Sequence, residues 1–278
     1  QSLHDQQMNG TFKEVTRAFS ADIPIWCLTP EGKSESIRFY DTSAIDATGR
    51  YLAVTRYMSD DHLPQPGEEA AVVVRDLHSG EDIYEIPTAA WDSQLGAQVQ
   101  WHPTRAEVFF NVMHEDGLPH AVAIDVKSGN RRELPWTVYM LSPDGRSSIS
   151  ADLRKIGHSQ AGYGVIMVNP DAYRSNARGD NDGVTVMDID GGSIQTVIPT
   201  YHLLESAGIE IPKTGSTYVF HVKWSPVTNR IMVVLRWVAP GGQQRRWVLA
   251  CDPDGDRVHL LVNDALWAQG GHHPNWYP

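Results

Sequence analysis

Residues 221–237 read HVKWSPVTNRIMVVLRW. Two apolar runs flank a Ser-Pro and a Thr-Asn step, the composition of a strand that turns tightly into a second strand. The pattern recurs at 42–56 (TSAIDATGRYLAVTR), 98–112 (QVQWHPTRAEVFFNV) and 138–152 (VYMLSPDGRSSISAD). Behind each comes a second pair, in which an apolar run, an aspartate, a short spacer and a glycine lead into another run. These pairs are 71–86 (AVVVRDLHSGEDIYEI), 121–134 (AVAIDVKSGNRREL), 184–198 (VTVMDIDGGSIQTVI) and 248–262 (VLACDPDGDRVHLLV), marked by Asp76, Asp125, Asp188 and Asp252. Strand-turn-strand twice over makes a four-stranded antiparallel unit, and its repetition predicts an all-β β-propeller. Residues 23–39 read as an earlier half-blade, and HHPNWYP (272–278) as the first strand of a further blade. The expected organisation is one propeller domain over 1–278 that stops short of a closed ring. Helical periodicity is confined to a short segment at 201–208.

The formal net charge of -11 argues against a nucleic-acid partner. It leaves room for an anionic sugar, because a few local arginines can serve one carboxylate. No apolar run reaches the length of a membrane span, and the first ten residues lack a signal-peptide pattern. The two cysteines, Cys27 and Cys251, make neither a CxxC motif nor a disulfide framework. The compartment stays open between the cytoplasm and the periplasm or exterior of a bacterium.

In a propeller the first strand of each blade lines the central channel. Alignment on Pro103, Pro143, Pro226 and Pro278 places Gln98, Val138, His221 and His273 at one ring position, with Thr42 in the first complete blade. Two imidazoles and an amide on one ring suit a divalent cation such as manganese or zinc, and Gln269 and His272 lie close enough in sequence to add ligands. The other reading is that these are polar residues lining a wet channel. Residues 154–183 are too long for a blade connection, and long ordered loops carry function. They hold Arg154, His158, Tyr163, Arg174 and Arg178. Arginine offers a bidentate fork to a carboxylate, and tyrosine can move a proton. Alternatively Arg174 and Arg178 pair with Asp180 and Asp182 on the surface, and Tyr163 packs on a blade. His120 opens a strand on the same expected face. His102 reads as a solvated turn residue. Trp101, Trp224 and Trp276 read as core packing, and Trp91 and Trp237 as stacking platforms for a sugar ring.

At YDTSAIDATGRYLAVTR (40–56), QLGAQVQW (94–101), QAGYGV (160–165), FHVKWSP (220–226) and GGHHPNW (270–276) the chain resembles the propeller-type polysaccharide lyases, the oligogalacturonate and ulvan lyases, whose blades are similar to those of TolB-type propellers. The resemblance implies a seven-bladed propeller that cleaves uronate-containing anionic glycans by β-elimination. Its oligogalacturonate branch implies manganese at His221, Gln269, His272 and His273, although the last two histidines are adjacent here rather than separated by one residue. Its ulvan branch implies catalysis by Tyr163, Arg178 and His120. The second histidine of that branch is unmatched, since Gln98 and Gln100 stand in its place. Gln98, Arg154, His158 and Trp237 are the expected substrate contacts. The alternative is a non-catalytic TolB-like propeller that binds a protein or glycan partner.

Overall fold

The computed structural model describes residues 12–14, 25–59, 61–210, 212–270 and 273–277. Four antiparallel four-stranded sheets follow one another along the chain. A two-stranded sheet of β1 (Lys13–Glu14) and β2 (Trp26–Cys27) precedes them. The first blade is β3 (Ser34–Ser36), β4 (Tyr51–Tyr57), β5 (Ala70–Asp76) and β6 (Asp82–Thr88); the second is β7 (Gln100–Trp101), β8 (Glu107–Met113), β9 (Pro119–Asp125) and β10 (Arg131–Glu133). The third is β11 (Met140–Leu141), β12 (Ser147–Ser150), β13 (Gly183–Asp188) and β14 (Ser193–Pro199); the fourth is β15 (Ser216–Trp224), β16 (Ile231–Val238), β17 (Gln244–Cys251) and β18 (His259–Val262). Strand order follows chain order in every sheet, so each is a meander, and together they are blades of a β-propeller. Among the described residues, helix is limited to α1 (Leu153–Ser159), α2 (Thr200–Ser206), α3 (Asp264–Trp267) and a 3₁₀ turn at Pro170–Tyr173. The segment expected to be helical at 201–208 is α2. No helix among the described residues is long and apolar enough to cross a membrane.

Two expectations need correcting. Residues 23–39 do not form one half-blade: Trp26–Cys27 pairs with Lys13–Glu14, whereas Ser34–Ser36 is the innermost strand of the first complete blade. Residues 273–277 form no strand.

Burial explains the sequence pattern. The middle strands lie between neighbouring blades, so β5 is buried at every residue and reads as a continuous apolar run. The outer strand β6 has one wet face, and its burial alternates. The marker aspartates shape the outer turns. Asp125 Oδ1 accepts from the N–H groups of Lys127 and Ser128, and Asp188 Oδ1 from those of Asp190 and Gly191. These contacts are the Asx-turn, in which a side chain replaces a backbone acceptor. At Asp125 the turn closes on Gly129, whose φ of 75° suits glycine.

One ion network crosses all four strands of the first blade. Glu35 on β3, 2% exposed, accepts from Arg56 on β4 and from Arg75 on β5. Both arginines reach Asp82 on β6, and Arg56 also reaches Glu85. Removing one partner of such a buried set leaves the other charges uncompensated. Glu35→Gln is therefore expected to cost about 3 kcal/mol, the lower end of the range for broken buried pairs because Asp82 and Glu85 remain. Denaturant unfolding measures this, and a loss below about 1 kcal/mol would show that the network does not hold the blade.

Candidate functional site

The inner strand of the first blade is interrupted. Ser36 pairs with Thr55, the chain then leaves the sheet, and pairing resumes where Ile45 bridges Leu52. The excursion carries Arg38 and Asp41 into the channel. Arg38, 3% exposed, donates from Nε to Gln98 Oε1 (2.9 Å) and from Nη1 to Asp41 Oδ1 (2.6 Å). Lys223 of the fourth blade meets Asp41 Oδ2 at 2.9 Å and donates to the Tyr40 hydroxyl at 3.3 Å. Burial pushes the Asp41 carboxyl up, but Arg38 and Lys223 outweigh it and hold the group below the usual carboxylate value. Arg38 Nη2 and Gln98 Nε2 are buried donors with no acceptor among the described residues. Beyond this layer a cavity of about 590 Å³ opens at the turn end of the channel, between Tyr40, Asp41, Gln100, Met140, Trp224 and Trp276.

His221 sits two residues before Lys223 on the same face of β15, just after a register shift at Phe220. Its Nδ1 is hydrogen-bonded to the Tyr139 hydroxyl, and Arg38 lies over the Tyr139 ring, 5.1 Å from its centroid. The Tyr163 ring stands edge-on to both Phe220 (4.9 Å) and His221 (5.9 Å). Arg236 stacks on Phe220 at 3.5 Å, donates to Gln160 Oε1 at 2.6 Å, and keeps a buried Nε without an acceptor. Burial, then Lys223, Arg236 and Arg38, press the His221 imidazole down to about 3, so it is neutral at ordinary pH. Burial raises both phenols, so Tyr139 and Tyr163 stay protonated. The centre therefore holds a neutral base, two neutral phenols and three cations, of which Asp41 answers two.

Of the expected site residues that are described, Gln98, Tyr163 and His221 meet in the channel and the others do not. Arg178 is half-exposed, pairs with Asp180 at 2.9 Å and covers the Tyr201 ring. His120 lies on β9, the third strand of its blade, stacked on His114. Arg154 is consumed by a bidentate bond to Asp152, between the rings of Trp136 and Tyr173. Trp237 donates its indole N–H to Thr214 O and is covered by Arg245. Trp91 is buried against Tyr57. His102 is buried rather than solvated, because its ring closes a turn to Thr104, Arg105 and Gly145. Arg38, Asp41, Tyr139, Lys223 and Arg236 were missed. Period-2 alternation from His221 would have found Lys223, but nothing local signals the rest.

The manganese or zinc set does not assemble among the described residues. His273 has a φ of 54° and its ring packs tilted against Phe39 and edge-on to Tyr40, while Gln269 is exposed beyond α3. His272 lies outside the described residues. No three His, Cys, Asp or Glu side chains among the described residues converge in metal-binding geometry. The three cations that depress His221 also oppose a divalent ion beside it.

Two buried carboxyls pin the 154–183 insertion to the blades. Asp92 accepts from the N–H of Gly164, and Asp182 from that of Val219. Gly164 needs its φ of 71°, and a Cβ there would stand 2.4 Å from Leu153 O. Burial pushes both carboxyls up to about 7.

No protein-family model matches the chain, and no curated protein does. Among solved structures, TolB from Acinetobacter baumannii is 14% identical, with a TM-score of 0.44 over 87% of this chain and 46% of that one. The hydrazine synthase of Kuenenia stuttgartiensis is 16% identical, with a TM-score of 0.44 over 79% of this chain and 53% of that one. An oligogalacturonate lyase in complex with manganese is 13% identical, with a TM-score of 0.45 over 91% of this chain and 72% of that one. The chain thus spans about half the length of the first two, and at these identities no residue role carries over.

Two outcomes are expected. Lys223→Met raises the His221 titration, read from ring proton shifts assigned with His221→Gln; an unmoved value means that Lys223 has no part in depressing it. For Asp182, a carboxyl raised on folding stabilises fully below its unfolded value of 3.8, and that contribution is lost as pH rises through about 7. The depressed His221 acts in the opposite direction, so the difference between wild type and Asp182→Asn isolates the carboxyl. The variant should gain stability relative to wild type between about pH 4 and 7, and denaturation curves that shift in parallel would contradict this.

Proposed function

We propose that the chain carries the active centre of a lyase that cleaves a uronate-containing anionic glycan, of the oligogalacturonate or ulvan type, by β-elimination. The observation that supports it is the charge of the channel. In a chain of net charge -11, Arg38, Lys223 and Arg236 crowd one neutral imidazole. Donors on Arg38, Gln98 and Arg236 are buried there without acceptors among the described residues. A carboxylate is the ligand that such donors lack.

The chemistry follows from the protonation states. The proton on C5 of a uronate is weakly acidic until the neighbouring carboxylate is neutralised. In this reading the Arg236 guanidinium supplies that charge, in place of manganese, zinc or Arg178. Tyr139 accepts from His221 Nδ1–H, which leaves the Nε2 lone pair to take the C5 proton. The C5–H electrons form the C4=C5 double bond, the C4–O bond breaks, and the departing oxygen takes the Tyr163 phenolic proton. Water returns a proton to Tyr163 and removes one from His221. His221 and Tyr163 thus divide the base and acid roles, and a carboxylate bound at Arg236 offsets the cations that depress His221, which restores basicity to its Nε2.

Ultraviolet absorbance of the conjugated product, screened over pectic, alginate-like, glycosaminoglycan and ulvan substrates, tests the reading. His221→Ala and Tyr163→Phe are each expected to lower kcat about 10²–10⁴-fold. Arg236→Met should lower kcat and raise KM together. Arg178→Ala and His120→Ala should leave turnover unchanged. Binding of these glycans without any turnover would instead favour a non-catalytic binding propeller.

A further inference from the structure

The last turn of α1 faces two ways. Gln160, which caps it, holds Arg236 on the channel side. His158 and Ser159 open instead onto a separate cavity of about 440 Å³, shared with Arg174, Ser216 and the Val238–Gly242 edge of the fourth blade. That volume lies within the range of about 300–1,000 Å³ usual for small-ligand pockets. Ser216 spends its hydroxyl on Ser175 O, but other polar groups of the lining remain available. Among the described residues the His158 ring makes no hydrogen bond and the buried Ser159 Oγ has no partner. Arg174 is tied to Asp171 by a single bond from Nη2 at 2.8 Å. Val238, Ala239 and Pro240 add an apolar wall. The charged groups facing His158 are Arg174, Asp171 and Lys155, and burial and Arg174 keep the imidazole neutral, able to donate one hydrogen bond and accept another.

We infer that this cavity is a second sugar subsite, which takes a further uronate residue of the same glycan. A sugar ring presents hydroxyls that both donate and accept, which neutral His158 and Ser159 can answer. It has an apolar C–H face for Val238 to Pro240, and a uronate adds a carboxylate for Arg174. Position supports the assignment. Val238 stands two residues beyond Arg236 on β16, about 7 Å along the strand, and Ser159 adjoins Gln160. The cavity and the His221 centre are therefore joined through Arg236 and Gln160; His221 pairs with Val234, four residues before Val238, so the two lie about 13 Å apart along the sheet, a span of a few sugar units. This assignment rests on the lyase reading for its place along the substrate, and on its own polar groups for binding.

The experiment is calorimetric titration of galacturonate and tetragalacturonate into the His221→Ala chain, with and without Arg174→Ala or His158→Ala. Arg174 is 62% exposed, so its replacement should not disturb folding. The expected result is that tetragalacturonate binds more tightly than the monomer and loses roughly tenfold in affinity with either second substitution. Arg174→Lys should recover part of it. In the catalytically intact chain, the same substitutions should raise KM and leave kcat unchanged. Unaltered tetragalacturonate affinity in both variants overturns the subsite, whatever the wild type cleaves. Binding that depends on His158 and Arg174, in a chain that cleaves no uronate glycan, keeps the subsite and removes the lyase reading.

Discussion

Asp41 holds Arg38 and Lys223 at once, and so ties the first blade to the fourth across the channel. The pair of contacts joins residues 182 positions apart in sequence without a strand between them. Both cations and the carboxylate are almost completely buried. Removing charges from water is costly, and the arrangement is tolerable because each Asp41 oxygen has a cationic donor. It is also incomplete. Two cations share one anion, and donors on Arg38 and Gln98 remain over. A purely structural ion cluster would be expected to satisfy itself as the Glu35 network of the first blade does, with three carboxylates for two guanidiniums. This contrast between the two clusters supports the proposed ligand of the channel.

The same charges govern His221. An imidazole in water would be partly protonated near neutral pH. Burial and three neighbouring cations remove that option, and the Tyr139 hydroxyl orients the ring. The bulge at Phe220 turns His221 toward Tyr139 and places Phe220 under the Arg236 guanidinium. Local backbone irregularity, ion pairing and proton chemistry are therefore linked in one inner strand.

The insertion was legible from its length as a departure from the blade pattern, but the surroundings of its individual residues were not. Arg154, Arg174 and Arg178 look alike in sequence. Their surroundings separate them: the first is locked against Asp152 between two rings, the second lines a cavity, and the third covers Tyr201 on the surface. Tyr163 reaches the channel because Asp92 anchors the adjacent Gly164, a contact across 72 residues.

The sequence by itself determined the blades. Apolar runs, outer-strand alternation and aspartate turns act over a few residues, so their repetition is visible without tertiary information. Gln98 and His221, aligned by the repeat, do come together through Arg38 and Tyr139, although one has a positive φ and the other follows a register shift. Only the tertiary structure decided what the channel contains. Arg38 and Asp41 enter through an excursion, Gln98 carries a φ of 58°, and His273 lies in no strand at all. In the third blade Tyr139, rather than the aligned Val138, meets His221. Side chains alternate faces with a period of two, so one irregular residue moves a side chain between core and channel. Which residue that is depends on contacts with other blades, and no short stretch of chain records them.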